Sequence, residues 1–299
     1  NRNTGEMLKQ AFLGKTVLSR LILINTVIFL LVSIISLFTY LFTAEPNVVN
    51  NSLSVIGEYL ALPSSLEAFI QKPWTLITYM FLHEEFFHLL FNLIMLYFGG
   101  LLFNEYLGEK RLLWTYIAGG ITGALFFLLA FNVFPVFESI AGVAVALGAS
   151  ASVLAIIIAV ATYVPDYTVQ LLFIGSVKLK YVAIIFVIID LLSIPSGNSG
   201  GHIAHLGGAA WGFVYALVLR NGTDLYRFFN FSAIVAQKKN KYSTENTTQK
   251  RPFSDDEYND RRKKSQERID EILDKISKSG YSSLTKEEKE LLFKTSKKK

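Results

Sequence analysis

The chain has 299 residues, 52% of them hydrophobic, with no cysteine and a formal net charge of +5. This apolar fraction excludes an ordinary soluble domain of the same length, and the lack of cysteine excludes disulfides and thiol chemistry. Residues 1–219 carry nine of the 29 Lys and Arg and residues 220–299 carry the other 20, so we expect a membrane-embedded body followed by a polar tail, with no nucleic-acid partner.

Six segments are apolar enough to cross a bilayer, which takes about 20 residues in a helix. The fourth is short, and we expect it to be buried among the other five. The first is too long for a cleavable signal sequence, and no small-residue cleavage site follows it. The segments lie near residues 19–42, 87–107, 112–132, 149–164, 178–195 and 201–219.

Basic residues in the loops predict how the segments are oriented. Lysines and arginines precede the first segment and follow the second and the fourth, whereas the long first loop holds only Lys72. The positive-inside rule therefore predicts that both termini are cytoplasmic and that this loop lies outside. The connection at 163–182 is rich in β-branched residues and predicts a short hairpin. The predicted fold is an all-α membrane protein, with a six-transmembrane-helix bundle at 19–219 after a cytoplasmic N-terminal segment at 1–18.

The stretch FLHEEFFHLLFN (81–92) places two histidines and an asparagine near the start of the second segment. A metalloprotease zinc helix needs histidines four apart, but His83 and His88 are five apart and lie roughly 140° apart around a helix, which excludes that site. His88 and Asn92 are four apart and share a helix face. Both side chains can donate hydrogen bonds, as in an oxyanion hole, so we expect a nucleophile and a base elsewhere in the chain.

The stretch VALGASASVLAI (145–156) brings small residues up to Ser150, at the start of the fourth segment. A serine hydroxyl at a helix N-terminus lies beside free backbone N–H groups, which suits a nucleophile whose oxyanion is held by main-chain donors. Taken alone, the same pattern also suits an N-cap serine or close helix packing. Ser152 competes as the nucleophile, although it lies deeper in the segment.

The stretch SGNSGGHIAHLGGAAWGFVYAL (196–217) carries the sixth segment. Gly208 and Gly212 form a G-x-x-x-G pattern that lets another helix approach closely. His205 lies one turn before Gly208 on the same helix face. If the fourth segment packs on these glycines, His205 would meet Ser150 and form a Ser–His pair.

Two further polar residues lie near the same predicted end of the bundle. Asp190 could be the carboxylate of a triad that orients His205. Because some variants of the triad work without an acidic third member, we favour the alternative, in which Asp190 is a polar group satisfied by a loop or by water. His202 is assigned no role. Four histidines at one predicted depth argue against a purely structural role for all of them, because polar residues inside a membrane are costly. A metal site of His83, His202 and His205 stays open, although it would leave the other polar residues without a role.

Together, PWTLITYMFLHEEFFHLLFN (73–92), GASA (148–151) and AHLGGAAWG (204–212) resemble the rhomboid family of intramembrane serine proteases, over roughly residues 19–219. The family pattern is H-x-x-x-N in the second span, G-x-S-G opening the fourth and H-x-x-G-x-x-x-G in the sixth. A further histidine commonly lies five residues before the first motif's histidine, and here that residue is His83. Each motif alone is weak, but the three lie on the matching spans and reach the same side.

The resemblance implies a serine endopeptidase that uses a Ser-His dyad, with no cofactor and no metal. Ser150 would be the nucleophile and His205 its general base. The oxyanion hole would be formed by His88, Asn92 and the backbone N–H of Ser150. Supporting positions would be His83, Gly148 at the tight turn into the serine, Gly208 and Gly212.

By the same resemblance, the substrates are single-span transmembrane proteins cut near the outer membrane face. The expected location is the lipid bilayer of a bacterial inner (plasma) membrane. Trp74 resembles a family position that anchors the first loop. The family's usual glycine after the serine is Ala151 here, whose methyl group could crowd the helix interface or the substrate. The alternatives are a rhomboid-like protein that escorts membrane helices without cutting them and a transporter, which would need polar groups at more depths.

The polar tail divides into two parts. Residues 220–264 have little apolar content and are expected to be a disordered cytoplasmic linker. Residues 265–299 are expected to form a small cytoplasmic helical hairpin, similar to tails of some bacterial rhomboids, whose partner is unknown. One helix carries apolar residues at i, i+3, i+4 and i+7, and the next begins with a capping box. These positions are Ile269, Ile272, Leu273 and Ile276, and then Thr285 with Glu288.

Overall fold

The computed structural model describes residues 11–42, 52–83, 85–171 and 174–229, together with 271–272, 274–276, 278, 284–285 and 288 in the tail. The chain divides into two compact units, residues 1–235 and residues 236–299. The finer division into four segments that the sequence suggested stays a prediction.

Helices dominate the first unit, which confirms the predicted all-α bundle. Short strand pairs and single turns of 3₁₀ helix, at Tyr79–Phe81 and Pro135–Phe137, complete it. The strands are β1 (Leu62–Pro63), β2 (Val145–Ala146), β3 (Thr168–Leu171) and β4 (Gly175–Lys178). In chain order the helices are α1 (Val17–Phe42), α2 (Ser52–Leu60), α3 (Leu66–Gln71), α4 (Thr75–Thr78), α5 (Phe86–Tyr106), α6 (Glu109–Val133), α7 (Ser150–Tyr163), α8 (Leu179–Ser193), α9 (Ser199–Arg220) and α10 (Tyr226–Phe229).

A helix is present at each of the six apolar segments predicted from the sequence. Within the described residues, α1, α5, α6 and α9 are long and apolar enough to cross a membrane. Helix α7 has only 14 residues and α8 only 15. The six-span count therefore stays a prediction for these two shorter helices.

Helix α7 lies at the centre of the bundle, as its short, apolar sequence predicted. Every residue from Ala151 to Ala161 is buried. Helices α5, α6 and α9 pack around it. The first residue of this buried helix is Ser150, so the packing of α7 determines where the candidate nucleophile lies.

Glycines let the neighbouring helices approach the α7 backbone. A Cβ atom added at Gly208 would collide with the carbonyl oxygen of Ala151, and one added at Gly212 would collide with the carbonyl oxygen of Ala155. A Cβ atom added at Gly119 of α6 would collide with the Ala155 methyl group. The G-x-x-x-G prediction is confirmed, because no side chain fits where α9 crosses α7.

The loop between α1 and α5 is folded onto the chain that leads into α7. Strand β1 pairs antiparallel with β2, with Leu62 opposite Ala146. The indole N–H of Trp74 donates a hydrogen bond to the carbonyl oxygen of Tyr59 at 2.7 Å, while about half of the side chain stays exposed. These contacts are consistent with the anchoring role that the resemblance implied for Trp74.

The predicted hairpin between α7 and α8 is confirmed as the antiparallel pair β3–β4. One carboxylate oxygen of Asp166 accepts from the ammonium groups of Lys178 and Lys180, each at 2.9 Å. These two hydrogen bonds lower the pKa of Asp166 to about 2. The hairpin therefore holds the first turn of α8 to the end of α7.

The segment after α9 is tied to the bundle through Asp224. Its carboxylate is buried and accepts hydrogen bonds from Arg111 Nη2 at 2.9 Å and Arg111 Nε at 3.1 Å. The prediction of a disordered linker is therefore wrong at the start of this segment, because an ion pair between the half-buried Arg111 and the buried Asp224 holds it to the start of α6. The rest of the predicted linker, 230–264, lies outside the described residues.

In the second unit, the predicted capping box is confirmed. The backbone N–H of Thr285 donates to Glu288 Oε2 at 2.7 Å, and the backbone N–H of Glu288 donates to Thr285 Oγ1 at 3.3 Å. Glu288 also accepts from the ammonium group of Lys275 at 2.9 Å. Of the predicted apolar positions, Ile272 is buried and Ile276 is partly buried, whereas Ile269 and Leu273 lie outside the described residues.

Candidate active site

The turn into α7 is built around Gly148. Its φ of +114° lies in a region that side chains disfavour, and a Cβ atom there would lie 2.8 Å from Cε1 of His88. The Gly148 N–H donates to the carbonyl oxygen of Tyr79 at 2.9 Å. This position therefore requires glycine for both its backbone conformation and its close approach to His88. The turn leaves Ser150 as the first helical residue, with its backbone N–H free of intrahelical partners.

Ser150 and His205 meet although 55 residues separate them in the chain. Ser150 Oγ lies 2.6 Å from Nε2 of His205. The contact follows from the packing of Gly208 on α7, because His205 lies one turn before this glycine on α9. An imidazole that accepts at Nε2 can take the serine proton, so the pair has the geometry of a nucleophile and its general base.

Asp190 lies behind His205, in the triad position that was not favoured from the sequence. Its Oδ1 atom lies 2.8 Å from Nδ1 of His205 and 2.8 Å from Nδ1 of His202. A carboxylate accepts only, so Nδ1 of His205 carries the proton and Nε2 is left as the acceptor for Ser150. Ser150, His205 and Asp190 thus form a hydrogen-bonded triad, rather than the isolated dyad implied by the resemblance.

A sequence signal for Asp190 existed. Helix α8 ends at Ser193 and α9 begins at Ser199, so a short turn brings the end of one against the start of the other. An acid one turn before such a connection lies near the first turns of the next helix. His202 and His205 are three apart and share a face there.

His88 and Asn92 line the same cavity as Ser150 and His205. The cavity has a volume of about 280 Å³ and is bounded by α5, α7, α8 and α9. Asn92 is buried, and its amide donates one hydrogen bond to the carbonyl oxygen of His88 at 2.9 Å. An amide nitrogen has two hydrogens, so a second one is available to an oxyanion in the cavity. The predicted donors and the predicted nucleophile thus face one space.

The part of the chain that contains this site matches a known family. Residues 71–222 match the model of the Rhomboid domain. The chain belongs to the rhomboid family. Over 158 residues it is 33% identical to RHOMBOID-like protein 12, mitochondrial, of Arabidopsis thaliana, a match that covers 50% of this chain and 47% of that protein. The chain thus spans about half the length of this curated relative. Residues 254–298 match a second family, of unknown function (DUF6576).

With four helices long and apolar enough to cross a bilayer in the described residues, this rhomboid is a multi-pass membrane protein.

Ser152, the other candidate nucleophile, points away from the cavity. Ser152 is 1% exposed, and a Cβ atom on Gly120 of α6 would lie 2.6 Å from its Oγ. Two residues along a helix correspond to roughly 200° of rotation, so only one of the two serines can face His205.

His83 supports the turn of the rhomboid site from behind. Its Nε2 accepts a hydrogen bond from the backbone N–H of Ala149 at 3.3 Å, and its ring packs edge-on against His88 with centroids 5.2 Å apart. Burial, and then the neighbouring His88, lower the pKa of His83 to about 4. The ring is therefore neutral at neutral pH and acts as an acceptor that holds the residue before Ser150.

Ala151, the departure from the family pattern, is accommodated in the helix interface. The residue is 2% exposed, and its methyl group would lie 2.7 Å from a Cβ atom added at Gly123 of α6. The extra methyl group is matched by a missing side chain on the facing helix. Of the two effects considered from the sequence, the methyl group therefore bears on the helix interface, where Gly123 accepts it.

One group in the described residues could hold a metal ion. Single ligand atoms of Asp190, His202 and His205 lie within 4.8 Å of one another. His83 is not part of this group, so the site of His83, His202 and His205 considered from the sequence is replaced by one that contains Asp190. The expectation that the protein uses no metal and no cofactor stays a prediction.

Proposed function

We propose that this rhomboid is an intramembrane serine endopeptidase. The observation that carries the proposal is the 2.6 Å contact between Ser150 Oγ and His205 Nε2 beside a cavity lined by hydrogen-bond donors. A nucleophile, a base and donors for an oxyanion, all reaching one space, are the components of acyl transfer.

The proposed reaction follows from the positions of these groups. Ser150 Oγ attacks the carbonyl carbon of the scissile peptide bond and gives its proton to His205 Nε2. The negative charge on the carbonyl oxygen is stabilised by His88, Asn92 and the backbone N–H of Ser150. His205 then gives the proton to the leaving amine as the C–N bond breaks. A water molecule, deprotonated by His205, releases the acyl group and restores Ser150.

Asp190 is proposed as a positioning residue for His205. Its hydrogen bond at Nδ1 selects the tautomer that accepts at Nε2, and its charge stabilises the imidazolium that forms during attack. This extends the dyad that was expected from the sequence. His202 binds the same carboxylate oxygen and helps to hold the carboxylate in place.

The proposed substrates are single-span transmembrane proteins. The walls of the cavity between α5 and α8 are largely apolar, with Phe91, Met95, Phe186 and Ile189 among the lining residues. An unwound membrane helix could present its backbone between these side chains to Ser150. We further propose a bacterial inner membrane, with both termini cytoplasmic and the site near the outer face, as the distribution of basic residues suggests.

The escort alternative rested on Ala151. Because the methyl group of Ala151 has a matching gap at Gly123, the substitution gives no reason for an inactive site. The retention of Ser150 and His205 in contact favours cleavage over escort.

The proposal is tested with the 299-residue protein in liposomes, a model single-span substrate and a fluorophosphonate probe. We expect cleavage and labelling by the natural sequence, loss of both in Ser150→Ala and loss of cleavage in His205→Ala. Ser152→Ala is the matched control, since it removes a hydroxyl from the same helix that faces away from the cavity, and it should keep activity. Cleavage that survives Ser150→Ala, or no cleavage of any tested substrate by the folded protein, would overturn the proposal.

A further inference from the structure

A second, larger cavity lies along α8 and α9, from Val187 and Leu206 near the catalytic cavity to Lys180 and Arg220 at the opposite end. We call it the α8–α9 groove. It has a volume of about 600 Å³, within the range of small-molecule sites, and α7, α8 and α9 line it. Its apolar walls include Ile158, Ile184, Val187, Phe213 and Leu217.

Two cationic side chains stand at one end of the α8–α9 groove. Lys180 lies in the first turn of α8 and Arg220 ends α9. None of the residues that line the groove is an Asp or a Glu. The nearby carboxylate of Asp166 is shared by Lys178 and Lys180, so the mouth keeps an excess of positive charge even with that ion pair formed.

We propose that the α8–α9 groove binds one anionic phospholipid, with an acyl chain along its apolar walls and the phosphate at Lys180 and Arg220. An apolar channel that ends in basic side chains matches a lipid in both shape and charge. Basic pockets between membrane helices on the cytoplasmic side attract anionic head groups, and the positive-inside rule predicts that this end faces the cytoplasm.

The groove is connected to the catalytic cavity through α8. This helix presents Lys180, Ile184 and Val187 to the groove, whereas Phe186 and Asp190 line the catalytic cavity. Much of its surface is exposed, with Ile185 at 53% and Leu192 at 77%. A lipid chain seated between α8 and α9 would restrain α8, and with it the carboxylate that orients His205. Bound anionic lipid should therefore raise activity, an effect that rests on the proposed function.

Lipid binding is measured by native mass spectrometry on the 299-residue Ser150→Ala protein, so that the result does not depend on catalysis. Delipidated protein is titrated with phosphatidylglycerol or with phosphatidylcholine of the same acyl chains. We expect one retained phosphatidylglycerol and roughly a 30-fold weaker affinity in Lys180→Gln/Arg220→Gln. The matched control is Lys178→Gln, because Lys178 binds the same Asp166 oxygen but does not line the groove.

A second variant tests the acyl-chain part of the groove. Ala210→Phe fills the groove without changing its charge, and it should also weaken phosphatidylglycerol binding. Equal binding of the two lipids, equal loss in the Lys178 control, or competition by inorganic phosphate alone would overturn the proposal.

In a catalytically intact background, phosphatidylglycerol should raise the cleavage rate of the natural sequence but not of the Lys180/Arg220 variant. Binding without this effect would overturn the link to activity.

Discussion

Gly208 of α9 packs directly on the carbonyl group of Ala151 in α7, in a space that has no room for a side chain. The next turn of α9 toward its start carries His205, and the residue before Ala151 is Ser150. The 2.6 Å contact between Ser150 and His205 therefore depends on an approach of two helix backbones that only glycine permits.

Replacement of Gly208 should disrupt both the fold and the site. In Gly208→Ala the added methyl group collides with backbone, which cannot move aside cheaply, so we expect a destabilisation of roughly 1–3 kcal/mol or more and a loss of cleavage. Thermal unfolding in detergent and the rate of fluorophosphonate labelling measure the two effects. Gly142→Ala is the control, since a Cβ atom there meets nothing within 4 Å. Unchanged stability and labelling in Gly208→Ala would contradict the packing account.

Ala151 and Gly123 should behave as a coupled pair. Gly123→Ala places two methyl groups in one gap and should lower the unfolding temperature, whereas Ala151→Gly should keep activity. In the double variant the clash between the methyl groups is relieved, so a double-mutant cycle should give a coupling of at least about 0.5 kcal/mol. Rescue is expected to be partial, because the carbonyl oxygen of Ala204 also lies 2.8 Å from a Cβ atom at Gly123. Additive effects of the two changes would refute the coupling.

Asp190→Asn should lower kcat by roughly 10²- to 10⁴-fold with little change in KM, because the amide no longer favours the reactive tautomer of His205. Full pH profiles of kcat in both proteins provide a readout that a purely structural role would not move. His202→Ala is the comparison, since it removes the other histidine on the same oxygen and leaves the contact between Asp190 and His205. We expect less than about a tenfold loss there. If Asp190→Asn keeps kcat within threefold, His205 needs no carboxylate.

His83 should make the protein less stable in acid. Its pKa falls from 6.5 to about 4 on folding, so the unfolded chain binds more protons between these values. The stabilisation is complete above pH 6.5 and is lost as the pH falls toward 4, at up to about 1.4 kcal/mol per pH unit. Unfolding temperatures from pH 7.5 to 4.5 should therefore fall less steeply in His83→Gln, which cannot titrate. Parallel pH dependences of the two proteins would contradict this role of His83.

Local pattern was enough for the helices and for part of the site. The six helical segments follow from long apolar runs, and the capping box of Thr285 and Glu288 from a spacing of three residues. For the helices and the capping box, the information lies within one helix or its own turn. The pairing of Ser150 with His205 was expected only if the fourth segment packs on Gly208 and Gly212, as the family resemblance implied.

The remaining features depend on how whole helices rotate and slide against one another. Sequence by itself determined that Ser150 and Ser152 both lie at the start of α7, but only the packing of α7 against α6 and α9 decided which serine faces His205. Likewise, Asp190 was visible as an acid near a span end, and only the docking of α8 brought its carboxylate to His205. The rotation and register of each helix are set by contacts between small side chains far apart in the chain, and helical periodicity within one segment does not contain that information.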